Sequence, residues 1–184
     1  SSMQVSGHGR LMSKTFDLGQ QEDTASSLKD RVAYVPQNPS AGLDPLKKLA
    51  WQWRQALQVI INKSAYPCER IQREGSSLLS QLSLKAFGNS YPHQWSRGMQ
   101  QRLLIAFALT AIPDLLILDE PTSALDPIIA AKVLAEVLEL ASEKNICVLL
   151  VTHDLGLAAK YADKLVVLSQ GKIIETGQVS DVLQ

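Results

Sequence analysis

Two carboxylates follow directly on four aliphatic residues in the segment Leu115–Asp126, LLILDEPTSALD. Such a run reads as a buried strand, and its C-terminal end delivers Asp119 and Glu120 to the edge where open α/β sheets place their ligands. Asp119 can hold Mg²⁺ directly or through water, and Glu120 can orient or deprotonate a water molecule. Together they suit nucleotide hydrolysis. His153 closes a second aliphatic run, Ile146–Val151, and a neutral imidazole there can contact a terminal phosphate or the attacking water. Gln37 stands behind Val32–Val35 and Pro36, where its amide oxygen can ligate Mg²⁺ or water. In Tyr91–Arg102, YPHQWSRGMQQR, Ser96 is a suitable helix N-cap, and the N–H groups of that helix start can bind phosphate. Each of these residues also has a plain structural reading: polar strand ends, a packed histidine, an exposed loop glutamine, an ordinary cap. Their order along the chain is what gives them weight.

The elements that must position these groups alternate between strands and helices. Val32–Val35 reads as a short strand that ends at Pro36, since proline cannot donate to a ladder. Leu46, Leu49, Trp53, Leu57 and Ile60 recur at helical spacing, and a second helix carries Ile71, Leu78, Leu79 and Leu82. A third runs from about Ser96 to about Ala111. Asp126 and Pro127 form a cap and first turn for a helix to about Ser142. A short helix over about 157–162 follows His153, then a β-hairpin around Gln170-Gly171 and a terminal helical turn. This alternation predicts a mostly parallel sheet covered on both faces. Residues 1–30 are polar and rich in Gly, Ser and Gln, and suit short edge strands or loop.

Composition sets limits on what such a sheet can serve. The 184 residues, 46% hydrophobic and 20% charged, can bury a sizeable core. Eighteen basic residues balance eighteen acidic ones, so bulk charge calls for neither nucleic acid nor an anionic membrane. No apolar run reaches the length of a membrane span. Cys68 and Cys147 are far apart, and Cys147 lies in an apolar run, which suggests reduced, packed thiols in the cytosol.

Taken in sequence, Gln37, the Ser96–Gln100 helix start, LLILDE at Leu115–Glu120, SALD at Ser123–Asp126 and His153 resemble the Q-loop, signature, Walker B, D-loop and H-loop of ABC-transporter ATPases. The YPHQ lead-in, Met99 in place of the signature's glutamine, and NPSAGLDP after Gln37 are most similar to the ATP-binding subunits of peptide and nickel importers. The resemblance implies an α/β fold of the P-loop NTPase (RecA-like) class, a mostly parallel sheet with an inserted helical subdomain. Residues 1–40 and 101–184 would form a partial ATPase core, and 41–100 the helical subdomain with the signature. It also implies ATP and Mg²⁺ as cofactors, with Glu120 as general base and His153 as the γ-phosphate contact. Asp119 and Gln37 would be the metal and water contacts. Ser96, Gly98 and Gln100 would serve nucleotide held by a second ABC ATPase subunit; Gln37, Ser123 and Asp126 would also be nucleotide-binding, with Asp126 making the dimer contact. Permease subunits would be the membrane partners, placing the chain peripherally on the cytoplasmic face of the inner or plasma membrane, with no role for nucleic acid.

Two departures qualify the resemblance. Arg97 stands where the signature has glycine, and a long cation there can obstruct close approach or itself reach a phosphate. Moreover, the nearest match to a phosphate-binding loop, His8–Thr15, keeps Lys14-Thr15 but lacks both defining glycines, with His8 and Ser13 in their places. No apolar strand precedes it and no apolar helix follows. The expected fold is therefore N-terminally incomplete, with weak or no ATP binding by this chain alone and apolar sheet surface that favours self-association. A non-enzymatic regulatory or dimerising module is the alternative.

Overall fold

The structure is a computed structural model that describes residues 8–11, 14–17, 31–63, 66–84, 87, 89–123 and 125–183. β1 (His8–Leu11) and β2 (Lys14–Asp17) pair antiparallel, with His8 opposite Asp17 and Leu11 opposite Lys14. This agrees with short strands in the N-terminal stretch; its other residues lie outside those described.

After β3 (Val32–Val35) the chain enters two helices, α1 (Leu49–Lys63) and α2 (Cys68–Gln81), followed by α3 (Arg97–Thr110). Next come β4 (Leu115–Asp119), α4 (Pro127–Glu143), β5 (Cys147–Val151) and α5 (Leu155–Tyr161). A hairpin of β6 (Lys164–Ser169) and β7 (Lys172–Gln178) and the turn α6 (Val179–Val182) complete it. The turn between β6 and β7 is made by Gln170 and Gly171, both at positive φ (48° and 74°). That is the backbone twist a two-residue hairpin needs.

The central sheet has the order β3-β4-β5, all parallel. Parallel neighbours need long crossovers, and α4 supplies the one between β4 and β5. Asp126 starts that helix by accepting from the N–H groups of Ile128 and Ile129, each at 3.1 Å. Asn145, at φ 56°, helps turn the chain into β5.

The register assigns side chains to faces. Val35 pairs with Leu118, and Leu118 with Leu150, so Ala33, Val35, Leu116, Leu118, Val148 and Leu150 share one face. Leu116 and Leu118 are fully buried there, in one cluster with Leu103, Ile105 and Leu109 of α3 and Val133, Leu134 and Val137 of α4. The opposite face holds Tyr34, Ile117, Asp119, Cys147, Leu149 and Val151, and Tyr34, Leu149 and Val151 remain 57%, 50% and 46% exposed. The sheet is thus covered on one face only among the described residues, because α3 and α4 both pack on the same side. Cys147 is correspondingly exposed rather than packed, and neither cysteine is in a disulfide.

The helical segment shares this core. Trp53 stacks on Phe107 of α3 with ring centroids 5.2 Å apart and tilts against Phe87 at 5.8 Å. Gly75 lets α2 approach closely, since a Cβ there would lie 2.9 Å from the Trp53 ring. Leu46 does not join the helix it was expected to begin. Its N–H donates to Asp44 Oδ1 at 2.8 Å, while Gln52 bonds both the N–H and the carbonyl of Asp44. This side-chain turn holds the chain ahead of α1 and leaves Leu46 82% exposed.

Candidate functional site

The C-terminal ends of three parallel strands lie along one sheet edge, so Gln37, Asp119-Glu120 and His153 emerge on the same side of the molecule. Asp119 is the last residue of β4. Its Oδ2 accepts a 2.9 Å hydrogen bond from the Tyr34 hydroxyl on the neighbouring strand. That bond favours the protonated phenol and raises the Tyr34 pKa, with partial desolvation and the Asp119 charge acting in the same direction.

Glu120 leaves the strand in a left-handed conformation, φ 46°. For a residue with a Cβ this costs on the order of 1 kcal/mol. The turn nevertheless keeps the Glu120 N–H bonded to Val151 O at 2.9 Å. It also brings the side chain to the exit of β5, where Glu120 Oε1 meets the His153 N–H at 3.0 Å and His153 Nδ1 at 2.6 Å. The carboxylate is largely shielded, at 15% exposure, whereas the imidazole is 81% exposed. The hydrogen bond to Glu120 raises the His153 pKa above its ordinary value, reinforced by the charges of Glu120 and Asp154 and opposed by slight desolvation.

Behind Glu120 the chain turns through a Ser123 N–H to Glu120 O bond of 3.2 Å. Ser123 and Asp126 are exposed, and Asp126 spends its Oδ1 capping α4. Leu125 points back to α3: a Cβ added at Gly98 would lie 2.3 Å from Leu125 Cδ2. Gly98 is therefore buried beneath the loop that follows β4, and this position has no room for a side chain.

The start of α3 is built by its own polar groups. Ser96 Oγ accepts from the Met99 N–H at 3.3 Å, as an N-cap should. Gln100 is buried, and its Nε2 donates to Pro92 O at 2.8 Å and Trp95 O at 3.0 Å, clamping the preceding loop. Arg97 is exposed beside Ser96. Gln101, one residue further on, reaches from α3 to the exit of β3, donating from Nε2 to Pro36 O at 3.1 Å.

Asp119, Glu120 and His153 thus share one edge, the latter two in direct contact. The helix start joins them through Gly98 and Leu125, and Gln37 follows the residue that Gln101 holds. Sequence reasoning overlooked Tyr34 and Gln101. Strand periodicity sets Tyr34 on the same face as Asp119 once the register is known, and Gln101 signals itself as an amide within the buried stripe of α3.

Among the described residues no cluster of three or more His, Cys, Asp or Glu side chains is arranged to hold a metal ion, and no helix is long and apolar enough to cross a membrane. Lys14 and Thr15 lie within an antiparallel strand rather than at the start of a helix.

A parallel sheet with paired carboxylates at the exit of one strand and a histidine at the exit of the next defines an α/β domain, and its sequence family can be named. The chain belongs to the ABC transporter family, whose profile matches residues 3–123. It is 38% identical over 178 residues to the oligopeptide transport ATP-binding protein OppD of Lactococcus lactis subsp. cremoris, covering 95% of this chain and 52% of that protein. Against the dipeptide transport ATP-binding protein DppD of Escherichia coli it is 36% identical over 179 residues, covering 92% of this chain and 54% of that one. The chain spans about half the length of these curated relatives. Its fold matches cbiO1 of Clostridium perfringens, part of an ABC transporter complex, with a TM-score of 0.73 at 23% identity over 92% of this chain and 67% of that one. An ATP-binding cassette solved as a dimer with ADP and phosphate matches with a TM-score of 0.71 at 25% identity, over 89% of this chain and 70% of that one.

Proposed function

We propose that this chain is part of the ATP-binding subunit of an ABC importer for peptides, in which ATP hydrolysis drives transport. The observation that carries the reading is the contact between Glu120 and His153, formed from residues 33 apart at the exits of two adjacent parallel strands. Both hydrogen bonds from His153 fall on Oε1 of Glu120, which among the described residues leaves Oε2 to take a proton from water. Peptide relatives such as OppD and DppD support the choice of solute class; nickel is the other solute compatible with the sequence pattern.

The donor set suits the metal half of such a site. Mg²⁺ is commonly held by one or two carboxylates together with substrate phosphates, and Asp119, with Gln37 on the same edge, offers that arrangement. ATP would bring the phosphates, and His153 would contact the terminal one. The phosphate half is different. It needs a cradle of backbone N–H groups at a helix start, and the nearest sequence match in this chain lies in the β1–β2 hairpin. Ser96, Gly98 and Gln100 would act on nucleotide held by a second ABC ATPase subunit, Gln100 by fixing the loop ahead of α3. Ser123 and Asp126 would also line the nucleotide, and Asp126 would lie on that subunit contact. The helical segment 41–100 would be the lobe that engages permease subunits, holding the chain peripherally at the cytoplasmic side of the membrane.

The same hairpin favours a second reading, a non-enzymatic dimerising module that contributes its signature helix to an intact partner. Mg²⁺–ATP titration of the purified chain, with phosphate release measured in parallel, tests the catalytic part. Weak or undetectable binding without turnover is expected, and micromolar affinity with turnover would overturn it. Co-purification with a permease supports the transport reading, whereas recovery with nucleic acid and no permease sinks it.

A further inference from the structure

Consecutive glutamines at the start of α3 do different work. Gln100 acts locally, bonding the Pro92 and Trp95 carbonyls of the loop that leads into its own helix. Gln101 acts at a distance. Its Nε2 donates to the carbonyl of Pro36, 65 residues earlier, at the point where β3 ends and Gln37 begins. The residue is only 3% exposed, and its side-chain Oε1 has no hydrogen-bond partner among the described residues. An unpaired buried acceptor is destabilising, because it has given up its hydrogen bonds to water and gained none in return. Leucine or methionine would fill a similar volume without that cost, so packing alone does not account for an amide here. What the amide adds, among the described residues, is its bond to Pro36.

That bond lies at a sensitive point. Proline has no N–H, so residue 36 can be held through its backbone only at its carbonyl. Beyond it, the segment closes on itself: the Ser40 N–H donates to Asn38 Oδ1, Ala41 N–H to Asn38 O, and Gly42 N–H to Pro39 O. Gln37 is therefore flanked by a strand end anchored from α3 and a turn that satisfies its own donors. The same two turns of α3 also bear Gly98, against Leu125 of the loop after β4.

We propose that Gln101 is a positioning residue for Gln37, fixing the exit of β3 against the signature helix so that the two nucleotide-facing elements move as one. The functional meaning rests on the reading of Gln37 and the α3 start given above; the mechanical link does not require it. Hydrogen exchange of the nucleotide-free full chain therefore tests the link by itself, while nucleotide titration tests only that reading.

In Gln101→Leu, protection factors at Ser40, Ala41 and Gly42 should fall about tenfold, the scale of one lost hydrogen bond, with those of α4 unchanged. Gln101→Glu keeps the shape but turns a carboxylate oxygen toward the Pro36 carbonyl. It should lose the same protection at neutral pH and regain it on acidification, because a protonated carboxyl can donate where the amide did. Recovery of this kind distinguishes a hydrogen-bonding role from a packing one. Unchanged protection over 40–42 in Gln101→Leu would overturn the proposal, as would a uniform loss across α3, α4 and the sheet. If Gln101→Leu does not fold, Gln101→Glu decides alone, and absence of acid recovery counts against the link.

Discussion

The two faces of the β3-β4-β5 sheet are made from the same aliphatic strands and meet opposite fates. On one, Val35, Leu116 and Leu118 are buried beneath α3 and α4. On the other, Leu149 and Val151 are about half exposed, and Asp119 bonds Tyr34 at the rim. The covered face holds the chain together. The open face carries Asp119 at its rim, and its apolar residues contribute little to folding while they remain in water.

The largest expected effect tests that division directly. Leu118→Ala should lower unfolding free energy by about 2–5 kcal/mol, as large-to-small changes in a packed core do. Leu149→Ser, on the same sheet, should stay within about 0.5 kcal/mol and should reduce concentration-dependent self-association. Urea titrations paired with sedimentation velocity measure both, and equal destabilisation by the two variants would break the comparison.

A smaller effect is expected where the covered side meets the site. Gly98→Ala places a Cβ into Leu125, and about 1–3 kcal/mol of destabilisation should follow; Ser123→Ala, on the exposed part of the same loop, should be nearly neutral. Thermal unfolding of the two variants checks this.

The smallest effect concerns charge at the strand exits. Because Glu120 raises the His153 pKa in the folded chain, the stabilisation from their pairing is fully present below the ordinary histidine pKa. It is lost as pH rises through the raised value. An NMR titration of the His153 ring should show a midpoint above that of an unpaired histidine, and Glu120→Gln should bring it down. A midpoint that Glu120→Gln leaves in place would show that the pairing is not what raises it.

Much of this arrangement was legible from the residues. The LLIL run followed by Asp119-Glu120 marked a strand end, Asp126-Pro127 marked a helix start, and Gln170-Gly171 marked a hairpin, because each depends on neighbours within a few positions. Exposed apolar sheet surface was expected, but which face would carry it was not legible. A continuous aliphatic run says that both faces are apolar and leaves unsaid what lies against them, so Cys147 read as packed. Leu46 fitted a helical period, but the Asp44 side chain redirected the backbone. Tyr34 and Gln101 escaped notice because their partners, Asp119 and Pro36, are 85 and 65 residues away in sequence. Only the strand register and the seating of α3 bring them together.

The left-handed backbone at Glu120 has a consequence for anyone seeking a hardier version of this chain. Glycine at that position would relax the turn and remove the carboxylate in the same step. Heat resistance used as the sole selection criterion would therefore reward loss of the carboxylate that meets His153, so a library built here needs a second screen that reads out the site itself.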